Sequence, residues 1–129
     1  MYKGLEVYCC LALNRIAQQL GIDLNQADLE TKLDDILKER NKGVPKVELS
    51  YELRSNHYMT NKVLEVLEEE GLVTVEKVTD GREYQVKITK KGVLHIRKFN
   101  EFYASIYEAQ IRDHYKYQEL PAWFLKHKG

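Results

Sequence analysis

The chain has 129 residues, of which 43% are hydrophobic and 31% charged, and its 20 basic residues balance 20 acidic ones. This length suits one domain with a single buried core, and a net charge of zero argues against indiscriminate coating of nucleic acid. No apolar run approaches the roughly 20 residues of a membrane span and no signal-peptide cleavage site follows the N-terminal apolar patch, so we expect a cytoplasmic protein.

Two helices are predicted near the N-terminus, because apolar side chains recur there at helical spacing. The first spans residues 3–20 and ends at Gly21, since glycine readily takes the left-handed conformation that closes a helix. The second spans residues 24–37, with Asn25 as its N-cap and residues 41–43 as its exit.

The central segment, residues 44–92, has the pattern of a helix-turn-helix followed by a β-hairpin. Its predicted elements are a helix at 47–53, a helix at 56–70, a strand at 72–78 and a strand at 84–88. Gly71 ends the second helix, and Asp80-Gly81 is a strong hairpin turn signal. This order predicts a winged helix-turn-helix, a module that most often inserts its second helix into the major groove of DNA.

A long helix of about seven turns is predicted from Lys90 to about Tyr117, and Pro121 ends it before an apolar tail, Trp123-Phe124-Leu125. Its apolar stripe is Phe99, Phe102, Tyr103, Ile106, Tyr107 and Ile111. A domain this small cannot bury the whole stripe, so we expect the helix to form a homodimer interface. Alternatively, the N-terminal helices of the same chain cover part of it.

The predicted fold class is therefore mainly α with a small β-hairpin, in one α+β domain. Residues 1–43 form a supporting layer of N-terminal helices, residues 44–92 the winged helix-turn-helix, and residues 93–129 the dimerisation helix and tail.

Over about a third of its length the chain resembles the MarR-type winged-helix transcriptional regulators. The motifs are LEEEGLV at residues 67–73, Asp80-Gly81-Arg82 in the wing, and ITKKG at residues 88–92. Arg54-Ser55 replaces the family's usual glycine and hydrophobic pair in the turn, and Thr60 replaces an aliphatic residue. PadR-like regulators and plasmid or phage regulators share the module. The resemblance implies a dimeric DNA-binding protein.

The candidate DNA contacts lie at the start of the second helix of this module and on the wing. Asn56 is the expected N-cap, and Val63, Leu64 and Leu67 are expected to point into the core. The side chains expected to face the groove are His57, Tyr58, Asn61 and Lys62. Arg82 is the candidate for the minor groove, and Lys87, Lys90 and Lys91 are candidates for phosphates. In the alternative interpretation, these are solvated polar residues and Arg82 pairs with Asp80.

No catalytic set is recognisable, so we expect no enzyme activity, no metal and no cofactor. The four histidines lack metal-ligand spacing; they are His57, His95, His114 and His127.

Cys9 and Cys10 are adjacent in the first predicted helix and give no disulfide framework. Some MarR-like regulators sense oxidants through a cysteine on this helix, so the resemblance implies a redox role. The alternative, favoured because only Lys3 adds positive charge nearby, is that both thiols are inert. The aromatic side chains also suggest a cleft for a small-molecule effector between the wing domain and the dimer layer.

The sequence thus predicts a homodimeric, sequence-specific binder of double-stranded DNA, acting as a transcriptional regulator with repression as the favoured mode. Two alternatives stay open. One is a plasmid or phage protein that binds DNA for partition or replication control, and the other is a winged-helix adaptor that binds protein.

Overall fold

The computed structural model describes residues 4–78 and 83–128, and the side chains of residues 126–128 lie outside the description. In chain order its elements are α1 Leu5–Gln19, α2 Leu29–Arg40, β1 Val44–Pro45, α3 Lys46–Leu53, α4 His57–Glu69, β2 Val73–Lys77, β3 Tyr84–Ile88, α5 Lys90–Lys98, α6 Glu108–His114 and α7 Ala122–Lys128. A π-helical turn, Phe99–Tyr103, and a 3-10 turn, Ala104–Tyr107, connect α5 to α6.

Helix α1 is the centre of the core and packs against α3, α4, α5 and β3. Its fully buried side chains include Val7, Leu11 and Ile16. The helix ends as predicted at Gly21, which has a φ of +71°. One buried side chain of α1 is polar. The carboxamides of Asn14 and Asn100 exchange hydrogen bonds of 2.9 and 2.7 Å and are each only 2% exposed.

Helix α2 begins at Leu29, three residues later than a helix capped by Asn25 would begin. Asn25 is not its N-cap, and its backbone N–H instead donates to Oδ1 of Asp23 in the preceding loop. Leu24 is buried from this loop, which explains why an apolar residue there resembles helix periodicity. The predicted exit is correct, because Asn41 closes the helix and its Nδ2 donates to the carbonyl of Ile88.

The helix-turn-helix consists of α3, a tight turn and α4. Asn56 caps α4 as predicted, with its side-chain oxygen accepting from the N–H of Met59 at 2.8 Å. Arg54 closes α3 in the left-handed conformation, at φ 51° and ψ 43°. Beneath the turn, the hydroxyl of the fully buried Thr60 lies within 2.9 Å of both Ser50 Oγ and Ser55 Oγ. Polar contacts therefore replace aliphatic packing here.

The wing is a three-stranded antiparallel sheet with the order β1-β3-β2. The sequence predicts β2 and β3 correctly but misses β1, in which Val44 pairs with Val86 and Pro45 with Gln85. Two residues are too short to show a strand periodicity. This strand fixes the start of α3 against the start of β3.

The join between hairpin and α5 explains the ITKKG motif. Thr89 caps α5 by accepting from the N–H of Gly92 at 3.0 Å, and its hydroxyl donates to the carbonyl of Gly71 at 2.7 Å. A Cβ at position 92 would collide with the Leu72 carbonyl oxygen and Ile88. Glycine is required here by close packing.

The prediction of one regular α-helix over residues 90–117 is wrong. It changes to π geometry at Phe99–Tyr103, then to 3-10 geometry, and α6 ends at His114. These changes divide the predicted stripe. Ile111 is buried and Phe99 and Tyr107 are half-buried, whereas Phe102, Tyr103 and Ile106 are 60%, 45% and 70% exposed.

The C-terminal region packs back onto the helix-turn-helix. Tyr115 Oη donates to Glu52 Oε1 at 2.6 Å, and Nε2 of His114 lies 2.8 Å from the carbonyl oxygen of Glu52 in α3. Of the apolar tail, Phe124 is buried and Trp123 half-buried, whereas Leu125 is 50% exposed. The predicted α+β winged helix-turn-helix fold is confirmed.

Candidate nucleic-acid interface

Helix α4 presents its first two turns to solvent. Val63, Leu64 and Leu67 are buried, which fixes the rotation of the helix on the core. The side chains left on the outside are His57, Tyr58, Asn61 and Lys62, called the reading face below; Asn61 is half-buried and the other three are exposed. The structure thus brings these four predicted residues together at the N-terminal end of α4, the end that such helices place against base edges.

Two residues of the reading face contact each other. Asn61 Nδ2 lies 3.0 Å from His57 Nε2, one helical turn earlier. An amide N–H can only donate, so Nε2 accepts and the ring proton of a neutral His57 is on Nδ1. The second N–H and the oxygen of the Asn61 carboxamide are then available to a ligand.

The predicted wing residues are not part of the reading face. Arg82 and the Asp80-Gly81 turn lie outside the described residues. Lys87 is 3.5 Å from Glu76 Oε2 on the neighbouring strand, an ion pair on the sheet surface.

Lys90 and Lys91 lie away from the reading face. Lys90 Nζ is 3.4 Å from Asp34 of α2, and Lys91 Nζ donates to the carbonyl of Glu70 at 2.8 Å. Glu70 ends α4, whereas His57 begins it, and 13 helical residues span about 20 Å. Lys91 therefore contacts the C-terminal end of the recognition helix, where its charge complements the helix dipole.

A different lysine lies beside the reading face. Lys46 Nζ is 5.2 Å from the centroid of the Tyr84 ring, because β1 holds the first residue of α3 against the first residue of β3. Sequence reasoning missed Lys46, since its position depends on the two-residue strand that no pattern reveals.

Lys46 and the reading face share a groove of about 390 Å³ between α4 and the wing, called the wing groove below. Its lining is Lys46, His57, Asn61, Leu64, Glu65, Glu68, Val75 and Tyr84. Two acidic residues of α4, Glu65 and Glu68, also line this groove, one and two turns beyond Asn61.

Three large apolar or aromatic side chains are exposed on the helix-turn-helix itself. Val47 and Tyr51 of α3 are 53% and 76% exposed, and Tyr58 of α4 is 72% exposed. Such side chains suit contact with thymine methyl groups and sugars, or with an apolar protein surface.

The two cysteines border a cavity of about 360 Å³ between α1, the end of α4 and α5. Aromatic side chains line it, including Phe99, Tyr103 and Tyr107. Burial and the nearby carboxylates of Glu70 and Glu6 raise the pKa of Cys9 to about 12. Burial also raises the pKa of Cys10. Both thiols are therefore protonated at neutral pH, which favours the interpretation that they are inert over a redox role.

Membrane spans and metal clusters are both absent from residues 4–78 and 83–128. Within that part of the chain, no helix combines the length and apolarity needed to cross a bilayer. The same residues contain no cluster of three or more His, Cys, Asp or Glu side chains arranged to hold a metal ion.

The capped recognition helix, the tight turn and the three-stranded wing define a winged helix-turn-helix protein. No family model and no curated protein matches the sequence.

Several solved structures are similar to it at low identity. A point mutant of S. aureus MepR bound to an oligodeoxyribonucleotide is 13% identical, with 83% of this chain and 76% of that one covered at a TM-score of 0.45. The PcaV transcriptional regulator of Streptomyces coelicolor, in complex with its natural ligand, is 13% identical. The match covers 81% of this chain and 84% of that one, at a TM-score of 0.40. A MarR-family regulator from Silicibacter pomeroyi is 17% identical. The match covers 87% of this chain and 81% of that one, at a TM-score of 0.36.

Proposed function

We propose that the chain binds double-stranded DNA in a sequence-specific manner, as a homodimeric transcriptional regulator that represses by occluding a promoter. The observation that carries this proposal is the reading face. Four hydrogen-bonding or charged side chains occupy the exposed N-terminal turns of a capped helix, and a buried apolar face holds that helix in one orientation. This arrangement fits the major groove.

Dimerisation is supported by the surface made by Phe102, Tyr103 and Ile106, called the outer patch below. Ile106 is 70% exposed and Phe102 60% exposed, on a helical segment whose inner side is already covered by the chain's own core. Burying three such side chains against a second copy gains about 1.5–3 kcal/mol for each one fully covered. A two-fold dimer also matches a near-palindromic operator.

The cavity beside the cysteines supports a small-molecule effector as part of the same proposal. It lies between the C-terminal end of α4 and the helices α1 and α5, and its lining is largely apolar and aromatic. A compact ligand of that character would contact the recognition helix directly, at Val66 and Glu70.

The second candidate function is a protein-binding adaptor, which the exposed Val47, Tyr51 and Tyr58 favour. Glu65 and Glu68 in the wing groove also oppose a close approach of phosphates. The two functions differ in salt dependence. A DNA binder that neutralises several phosphates loses affinity steeply as salt rises, and an adaptor has no duplex affinity even at low salt.

The test is selection of bound duplexes from a random pool, followed by titration over a range of salt concentrations. A palindromic consensus supports the dimeric regulator, and direct repeats support the partition or replication alternative. No enrichment at low salt contradicts DNA binding and leaves the adaptor.

A further inference from the structure

We propose that Lys46 binds a DNA phosphate at the edge of the major groove and that Tyr84 positions it, an inference that rests on the proposed DNA binding. Lys46 would thus make a phosphate contact of the kind that we expect from the sequence for Lys90 and Lys91.

The position of Lys46 follows from the sheet. Pro45 pairs with Gln85, so the next residue along α3 lies beside the first residue of β3. The Lys46 ammonium rests 5.2 Å from the Tyr84 ring centroid, and both side chains border the same groove as His57 and Asn61. The charge therefore lies between the wing and the reading face, where a backbone strand would pass when α4 enters the groove.

The charge of Lys46 is available to a phosphate. Among the described residues Lys46 makes no ion pair, whereas Lys87 and Lys90 each pair with a carboxylate. An aromatic face attracts a cation by about 0.5–1 kcal/mol at an exposed site without neutralising it. Tyr84 therefore restricts the lysine to one region and leaves its three N–H donors to a ligand.

Three carboxylates also line this region. Glu83 is next to Tyr84 in the chain, and Glu65 and Glu68 lie further along α4. None of them is within ion-pair distance of Lys46 in the described part of the chain, and all three are exposed. They lower the local positive potential, and Lys46 offsets part of their negative charge at the point where a phosphate would approach.

The experiment measures duplex affinity against salt concentration for the full chain, using the duplex selected above. We expect Lys46→Gln to lower affinity and to reduce the slope of log K against log salt by about 0.9 for each subunit bound, or about 1.8 for a dimer, because each subunit loses one phosphate contact. Lys46→Arg should restore the slope. Tyr84→Leu should weaken binding without changing the slope, because it removes the positioning ring and no charge.

The matched control is Lys32→Gln, which removes the same charge from the first turn of α2, where Lys32 pairs with Asp28 at 3.1 Å. It should leave the slope unchanged. If Lys46→Gln and Lys32→Gln give the same slope as the parent chain, the inference is overturned while DNA binding stands. If the parent chain binds no duplex at low salt, the proposed function itself has failed. Thermal unfolding of each variant separates loss of the fold from loss of the contact.

Discussion

Asn61 donates to His57 across one turn of the recognition helix, with 3.0 Å between Nδ2 and Nε2. The contact uses one N–H of the carboxamide and leaves the other N–H and the oxygen free. Those two groups are the ones that asparagine uses to bind adenine N7 and N6 together. If α4 enters the major groove as we propose, His57 would orient Asn61 for a bidentate base contact.

Replacement of Asn61 by alanine should cost about 1–3 kcal/mol on the selected duplex and little on unrelated duplexes. His57→Ala should reduce discrimination at the same base pair, because the carboxamide loses its orientation. Competition binding against duplexes changed at that base pair measures both effects. Equal losses on all duplexes would show that the two residues contribute only general affinity.

Arg54→Gly should stabilise the protein by about 1 kcal/mol, because Arg54 is held in the left-handed conformation that costs a non-glycine residue roughly 1–2 kcal/mol. Denaturant unfolding measures the change in the free energy of unfolding. Lys62→Gly is the control with the opposite sign, since glycine inside a helix destabilises by about 1 kcal/mol. A destabilised Arg54→Gly protein would mean that Arg54 makes a compensating contact.

Thr60→Val should destabilise the protein by about 1–3 kcal/mol although valine is more hydrophobic. The buried hydroxyl contacts Ser50 Oγ, Ser55 Oγ and the carbonyl of Asn56, and the substitution leaves these groups without that partner. The matched control is Thr74→Val on the exposed side of β2, which should change stability by less than about 0.5 kcal/mol. Equal stability of both variants would contradict the hydroxyl network.

Ile106→Lys should convert the proposed homodimer to a monomer without unfolding it, because Ile106 is 70% exposed within one chain and its replacement adds a charge to the outer patch. Sedimentation over a range of concentrations measures the association. Tyr117→Lys, at a residue 82% exposed and outside the patch, should leave association unchanged. A parent chain that sediments as a monomer would contradict the dimer directly.

The thiols should react slowly with alkylating agents in the folded protein at pH 8 and quickly after denaturation. Burial raises the pKa of Cys9 from an ordinary value of 9.0 to about 12, so little reactive thiolate is present. Folding raises the pKa of Cys9, so the folded protein holds this proton more tightly than the unfolded chain does. The contribution of Cys9 to the free energy of unfolding is therefore complete below pH 9 and is lost as pH rises towards 12. Rapid alkylation of the native protein would restore the redox hypothesis.

Most of the fold follows from local signals in the sequence. Asn56 and Gly71 bound the recognition helix because capping and left-handed closure depend on single residues. The elements that the sequence misses depend on contacts distant in the chain. Strand β1 exists because Val44 meets Val86, and Leu24, which suggests an earlier start for α2, is buried from a loop.

The candidate site is only half predictable for the same reason. Helical spacing places His57, Tyr58, Asn61 and Lys62 on one surface. The partners of Lys87, Lys90 and Lys91 within the chain come from other elements, so these contacts cannot be read from the sequence, and the phosphate contacts of the three lysines stay a prediction.

The paired carboxamides of Asn14 and Asn100 have a consequence for motion inside the molecule. They join α1 to the π-helical turn by two reciprocal hydrogen bonds in an otherwise apolar layer. Sliding one helix along the other by a single turn would break both hydrogen bonds, at about 1–3 kcal/mol for each buried polar group left unpaired. These two hydrogen bonds therefore oppose any shift of register between α1 and the π-helical turn.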